Sequence, residues 1–107
     1  MELMSGHYDL SVSKEAWSDI ASYIDYITYT CDAPKTGKKH YDDLLELLAN
    51  IQKNPTVNTV RNPSSLSQYG MNIRRANYKK MTILYTIING NMVYVCRVVA
   101  SSMITEL

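Results

Sequence analysis

Between Thr82 and Val99 the chain reads TILYTIINGNMVYVCRVV, two apolar runs hinged at Asn89-Gly90. Asn-Gly between such runs is the strongest short-range hairpin signal, because a type I′ turn needs positive φ at two successive residues. The first arm is apolar on both faces, with Ile83, Tyr85 and Ile87 against Leu84 and Ile88. So is the second, with Val93, Val95 and Val99 against Tyr94, Cys96 and Val98. A strand apolar on both faces needs cover on both. The hairpin, Thr82–Ile88 and Met92–Val99, is therefore the expected centre of a sheet.

The rest of the chain supplies what such a sheet needs. His7 to Val12 alternates Tyr8, Leu10 and Val12 with polar residues, the pattern of a half-buried strand. Ser13 is placed to cap a helix. Trp17, Ile20, Ile24, Ile27 and Cys31 recur at spacings of three and four and predict one buried stripe, flanked by Tyr23, Tyr26 and Tyr29. The stretch CDAPKTG breaks this helix, since Pro34 suits only a first helical turn. A second helix is expected from about Lys38 to Lys53, with Tyr41, Leu44, Leu45, Leu48 and Ile51 inward and Asp42, Asp43, Glu46 and Asn50 outward. Asn54-Pro55 ends it. Thr56 to Gln68 reads as a polar loop, and Tyr69 to Tyr78 as the strand before the hairpin.

The predicted order is β-α-α-β-β-β. It implies an α+β domain, an antiparallel sheet with a helical hairpin packed on one face. Its 107 residues fit one domain spanning 1–107. No apolar run reaches the roughly 18–20 residues that cross a membrane. The opening MELMSGHYDL lacks the basic and apolar regions of a secretory signal, which makes the cytoplasm the expected compartment. Cys31 and Cys96 form no CxxC or Cys/His pattern. With His7 and His40 they supply too few ligands for a metal site, and no cofactor motif is present.

Charge divides the chain. Residues 1–53 hold nine acids and five bases, whereas residues 54–107 hold six bases and one acid, Glu106. Such asymmetry points to an acidic or anionic partner for the second half, or to a solvated face that balances the acidic helices. The bases concentrate in NIRRANYKK. Arg74 and Arg75 are adjacent in a strand, so they leave by opposite faces. Lys79 and Lys80 fall at the following turn. Arg97 interrupts an apolar strand, is expected to project with Val95 and Val99, and needs a partner or an open face. Tyrosines beside these cations could stack on bases. His7 and His40 are isolated and read as surface residues rather than acid–base groups.

In order and pattern these segments resemble the RelE/ParE superfamily of toxins from bacterial type II toxin–antitoxin systems, closer to its ParE-like branch. The likeness rests on YDLSVS leading into SKEAWSDI and IASYIDYI, on LLELLANIQKNP, and on YGMNIRRANYKKMTILYTIINGNMVYVCRVV. Arg74 takes the family's arginine position, Tyr85 its tyrosine and Arg97-Val98 its closing pair, while Asn72 stands where a glycine is usual.

The resemblance implies a toxin held by a cognate antitoxin, with DNA gyrase or the ribosome and its mRNA as target. RelE-like nucleases carry an arginine within the middle strand and basic residues or tyrosine after the last one. Here those places hold Thr82 and Ser101, Ser102 and Met103, which favours a ParE-like binder over a nuclease. Arg74, Arg75, Lys79, Lys80, Arg97, Tyr23 and Tyr26 are the expected target- or antitoxin-binding residues. For a ribonuclease the candidates are Arg74, Lys79, Lys80, Arg97 and Tyr78.

Overall fold

The computed structural model describes residues 8–61 and 64–104. Strand β1 (Asp9–Val12) leads into helix α1 (Lys14–Asp25). The expected start of β1 at His7 lies outside the described residues. Ser13 caps α1: its Oγ accepts the N–H of Ala16 at 2.9 Å. The helix then widens into a π turn over Tyr26–Thr30, where the N–H of Cys31 reaches back to the carbonyl of Tyr26.

The buried positions of this segment are Ala16, Ile20 and Ile27, with Tyr23 and Ile24 half-buried. Trp17 is 43% exposed and Cys31 is also exposed, contrary to the expected stripe. Two effects explain the difference. Ala16 rather than its bulky neighbour meets the sheet, and the wider π turn shifts the phase of the stripe before Cys31.

Helix α2 (Pro34–Lys53) begins one turn earlier than expected and runs through Gly37. That glycine lets the helices touch: a Cβ there would lie 2.3 Å from Thr28 Oγ1. Leu44, Leu48 and Ile51 are buried, but Tyr41 turns partly to solvent and His40 takes the inward place.

The sheet has five strands in the order β1-β5-β4-β3-β2, where β2 is Val60–Arg61, β3 Ile73–Tyr78, β4 Met81–Ile88 and β5 Met92–Ala100. The short β2 lies within the stretch expected to be loop, and Ser64–Tyr69 winds into 3-10 turns. Strand β3 starts later than expected, at Ile73. Three pairings are antiparallel, but β1 joins β5 in parallel, with Asp9 opposite Met92. No tight turn links those two strands, so no hairpin fixes their relative direction. At the hairpin tip Asn89 and Gly90 have φ of 55° and 71°, and the N–H of Asn91 bonds to the carbonyl of Ile88.

Both faces of the sheet are covered. Ala76, Ile83, Tyr85, Val93, Val95 and Val98 pack under the helices with Ala16, Ile20, Leu44, Leu48 and Ile51. On the outer face Leu66 closes over Ile73, Leu84 and Val99, with Tyr69, Cys96 and Ile104 beside them. This double cover accounts for the apolar character of both faces of β4 and β5.

Candidate functional site

Register decides where the basic strand points. Arg74 stands opposite Tyr85, and Ala76 opposite Ile83. Tyr85 and Ala76 belong to the core under the helices, so Arg74 faces that side. Its guanidinium donates to the carbonyl of Asn58. Asn58 also donates to the Tyr85 hydroxyl at 3.1 Å, and that hydroxyl donates to the carbonyl of Pro55 at 2.7 Å. Burial pushes the Tyr85 phenol up, despite opposing effects of Asn58 and Arg74. Arg75 stands opposite Leu84 and faces outward.

A bulge changes the parity of β5. Leu84 pairs with Arg97, but Tyr85 pairs with Val95, so Cys96 is the additional residue. Val95 and Val98 consequently share the helix side, while Cys96, Arg97 and Val99 lie toward the outer face. Arg97 therefore does not project with Val95 as the unbroken alternation predicts.

Arg97 reaches α1 instead. Its Nε and Nη2 donate to the two carboxylate oxygens of Asp19 at 2.7 and 2.9 Å. The backbone N–H of Val98 donates to Asp19 as well, at 2.9 Å. This fork raises the Arg97 pKa. The arrangement follows from β1 being short. Past Val95 the β5 edge has no strand partner on that side, and α1 closes it. The N–H of Ser13 bonds to the Val95 carbonyl and Ser13 Oγ donates to the Cys96 carbonyl. Between α1 and this edge runs a groove of about 560 Å³ lined by Tyr23, Tyr26, Tyr69, Arg97 and Met103, among others.

A second cluster lies where the helical hairpin meets the end of β3. The Tyr23 hydroxyl is 2.9 Å from His40 Nδ1, and the His40 ring meets Tyr78 edge-on. Tyr78 donates to Asp43 at 2.8 Å, and Lys39 pairs with the same carboxylate. Lys79 Nζ sits 5.6 Å from the Tyr78 ring centroid. Burial and then Lys79 hold His40 below its ordinary value, against the pull of Asp43. Burial, followed by the bond to Asp43, pushes the Tyr78 phenol far up. Tyr78 is thus held as a hydrogen-bond donor and is poorly suited to accept a proton.

Thr82 is 1% exposed and faces outward. Its Oγ1 donates to Asn77 Oδ1 at 2.9 Å and lies 2.6 Å from Ser101 Oγ. Of the four positions named above for the nuclease pattern, Thr82 and Ser101 thus bond to each other, with Asn77 as their third, neutral partner.

The structure therefore separates the sequence-predicted residues. Tyr23 and Tyr26 share the groove with Arg97. Tyr78 and Lys79 belong to the His40 cluster, which Tyr23 bridges to the groove. Lys80 is exposed on the turn, and its carbonyl accepts the N–H of Ser101. Arg74 and Arg75 occupy opposite faces. Sequence reasoning missed Asp19, Asn58 and the inward turn of His40. Only the unexplained arginine within β5 hinted at a buried acid. Among the described residues no group of three His, Cys, Asp or Glu could hold a metal, and no helix is long and apolar enough to cross a membrane.

A two-helix hairpin laid over a five-stranded, mostly antiparallel sheet defines an α+β fold. A solved structure titled "Chromosomal ParDE TA system from P. aeruginosa" shares it, with a TM-score of 0.68 at 15% identity over 90% of this chain and 98% of that one. No curated protein matches the chain. The family model for the ParE toxin of the type II toxin–antitoxin system parDE matches residues 10–105, and the chain belongs to that family.

Proposed function

We propose that this protein arrests growth by binding a bacterial target such as DNA gyrase, and that a cognate antitoxin neutralises it. Membership of the ParE family supports the toxin role. The observation that favours a binder over a nuclease is the Asn77–Thr82–Ser101 triad. Cleavage of RNA needs groups that move the 2′-hydroxyl proton and cations that hold the crowded phosphate. Neutral hydroxyls bonded to each other serve neither purpose. Tyr78, one of the five nuclease candidates, has its proton committed to Asp43.

The antitoxin occupies the groove between α1 and the β5 edge. Its walls carry exposed apolar surface, with Tyr26 at 56% and Met103 at 68% exposure. A segment that folds on binding gains most by covering such surface. In this reading Arg74, Lys79 and Lys80 contribute to the target contact, and Tyr23, Tyr26 and Arg97 to the antitoxin contact.

The test is expression without antitoxin in growing bacteria, following labelled thymidine and methionine incorporation over the first minutes. DNA synthesis should stop first, and purified gyrase should then be inhibited. Translation stopping first would make the protein a RelE-like ribosome-dependent mRNA endoribonuclease. Unimpaired growth would leave a weakened toxin that retains antitoxin binding.

A further inference from the structure

Helix α1 covers the sheet with one face and leaves the opposite one bare. Ala16 and Ile20 are buried, whereas Lys14, Trp17, Ser18, Ala21 and Asp25 are all exposed. Trp17 leaves 43% of its surface open, and the neighbouring helix extends this apolar area. Gly37 lies against Thr28 and Ile24 of α1, and the exposed Tyr41 follows one turn along the same row of α2. We propose that this face of the helical hairpin is the contact between two copies of the chain, packed through α1 about a two-fold axis.

The row along α1 is self-complementary. Lys14, Ser18, Ala21 and Asp25 follow one another at spacings of four, three and four, so they share one face of the helix. The row reads cation, small, small, anion, and its spacing is the same from either end. In a two-fold contact residue i meets j and j meets i. With the axis midway between Ser18 and Ala21, Lys14 of each copy stands opposite Asp25 of the other, and Ser18 opposite Ala21. One interface thereby matches both charges twice. A partner of another kind has no need of a row that reads alike in both directions.

The surroundings fit the same register. Small central residues let two helices approach to about 8 Å, and a crossing of about 20° keeps both ends within reach. Lys14 opens α1, where a cation opposes the helix dipole, and a carboxylate from an antiparallel neighbour offsets that. Trp17 lies two turns before Ile24, which borders Gly37, so its ring is on the α2 flank of the row. The two-fold axis brings that flank of one copy beside the same flank of the other, where the Trp17 and Tyr41 rings cover each other. Asp19, Tyr23 and Tyr26, which line the α1–β5 groove, lie on the far flank, and the groove stays open. A contact between two short helices is small, which predicts a reversible dimer rather than an obligate one.

The experiment is sedimentation of the purified full chain from low to high micromolar concentration. A monomer–dimer equilibrium is expected. Trp17 is the single tryptophan, so its emission reports on this face and should move to shorter wavelength in step with association. Lys14→Asp and Asp25→Lys each set like charges opposite one another at both ends of the row, and each should weaken association about tenfold. Both positions are exposed, so both variants should keep the fold. The double variant exchanges the two signs and should restore most of the loss. A monomer at every concentration would overturn the proposal and leave the face to a partner of another kind. A dimer that the single variants leave intact would overturn it too, because it would use another surface. So would single defects that the double variant does not repair.

Discussion

Asp19 binds Arg97 through both carboxylate oxygens and takes the Val98 N–H as a third donor. One acid on α1 thus satisfies a cation and a sheet edge 78 and 79 residues away. It does so at 17% side-chain exposure, against 39% for Arg97, so water screens the pair only in part.

Asp19→Ala should cost about 2 kcal/mol in urea unfolding, because it leaves both the guanidinium and an edge N–H without their acceptor. Asp19→Asn keeps one acceptor oxygen and should lose less. Equal stability of Asp19→Ala and the parent would mean that water replaces the carboxylate fully.

Gly37→Ala should destabilise the helical hairpin by about 1–3 kcal/mol, since the new methyl collides with Thr28 Oγ1. Adding Thr28→Ala removes the colliding atom. The double variant should then recover the loss and gain helix propensity of up to about 1 kcal/mol. Melting temperatures of the two variants decide the matter.

Tyr85→Phe should cost about 1–3 kcal/mol, because the fully buried hydroxyl serves both Pro55 and Asn58. The same change loosens the support of Arg74. It should therefore lower growth inhibition along with Arg74→Ala, whereas Lys53→Ala should not. Equal inhibition by all three variants would argue against a role for Arg74.

His40 gives stability a pH dependence of defined sign. Its folded pKa lies below its ordinary value near 6.5, chiefly through burial and Lys79. The unfolded chain therefore takes up a proton first as pH falls. The contribution is fully present above about pH 6.5 and is lost as pH falls through the folded pKa. Asp43 has a lowered pKa as well, through Tyr78 and Lys39, and its contribution is lost at lower pH still. Denaturation midpoints should decline from about pH 7 to pH 5 in the parent, and His40→Gln should flatten that decline.

Local chemistry made much of this fold legible. Asn89-Gly90 specified its turn, Ser13 its cap, and the doubly apolar strands their central place. The rest depends on contacts that no local pattern encodes. Arg97 asked for a partner but did not single out Asp19, because the bulge at Cys96 reverses a parity that simple alternation predicts. Two residues, Val60 and Arg61, are too few for a strand signal. The His40 site looked like solvent because its partners come from three elements. Family resemblance named the fold but left the faces of Arg74 and Arg75 open, and only register with β4 decides them.

The parallel pairing of β1 with β5 has a consequence for synthesis. Ser13 hydrogen-bonds a residue 83 positions away, and α1 lies against that same strand. Until Met92–Ala100 has left the ribosome, the first strand has no neighbour and the first helix no surface to cover. Contacts this distant are slow to form, since the whole intervening chain must be closed into a loop. A nascent chain halted before the hairpin would present its helices without their sheet. Whatever the folded molecule does, it cannot begin until Met92–Ala100 has emerged.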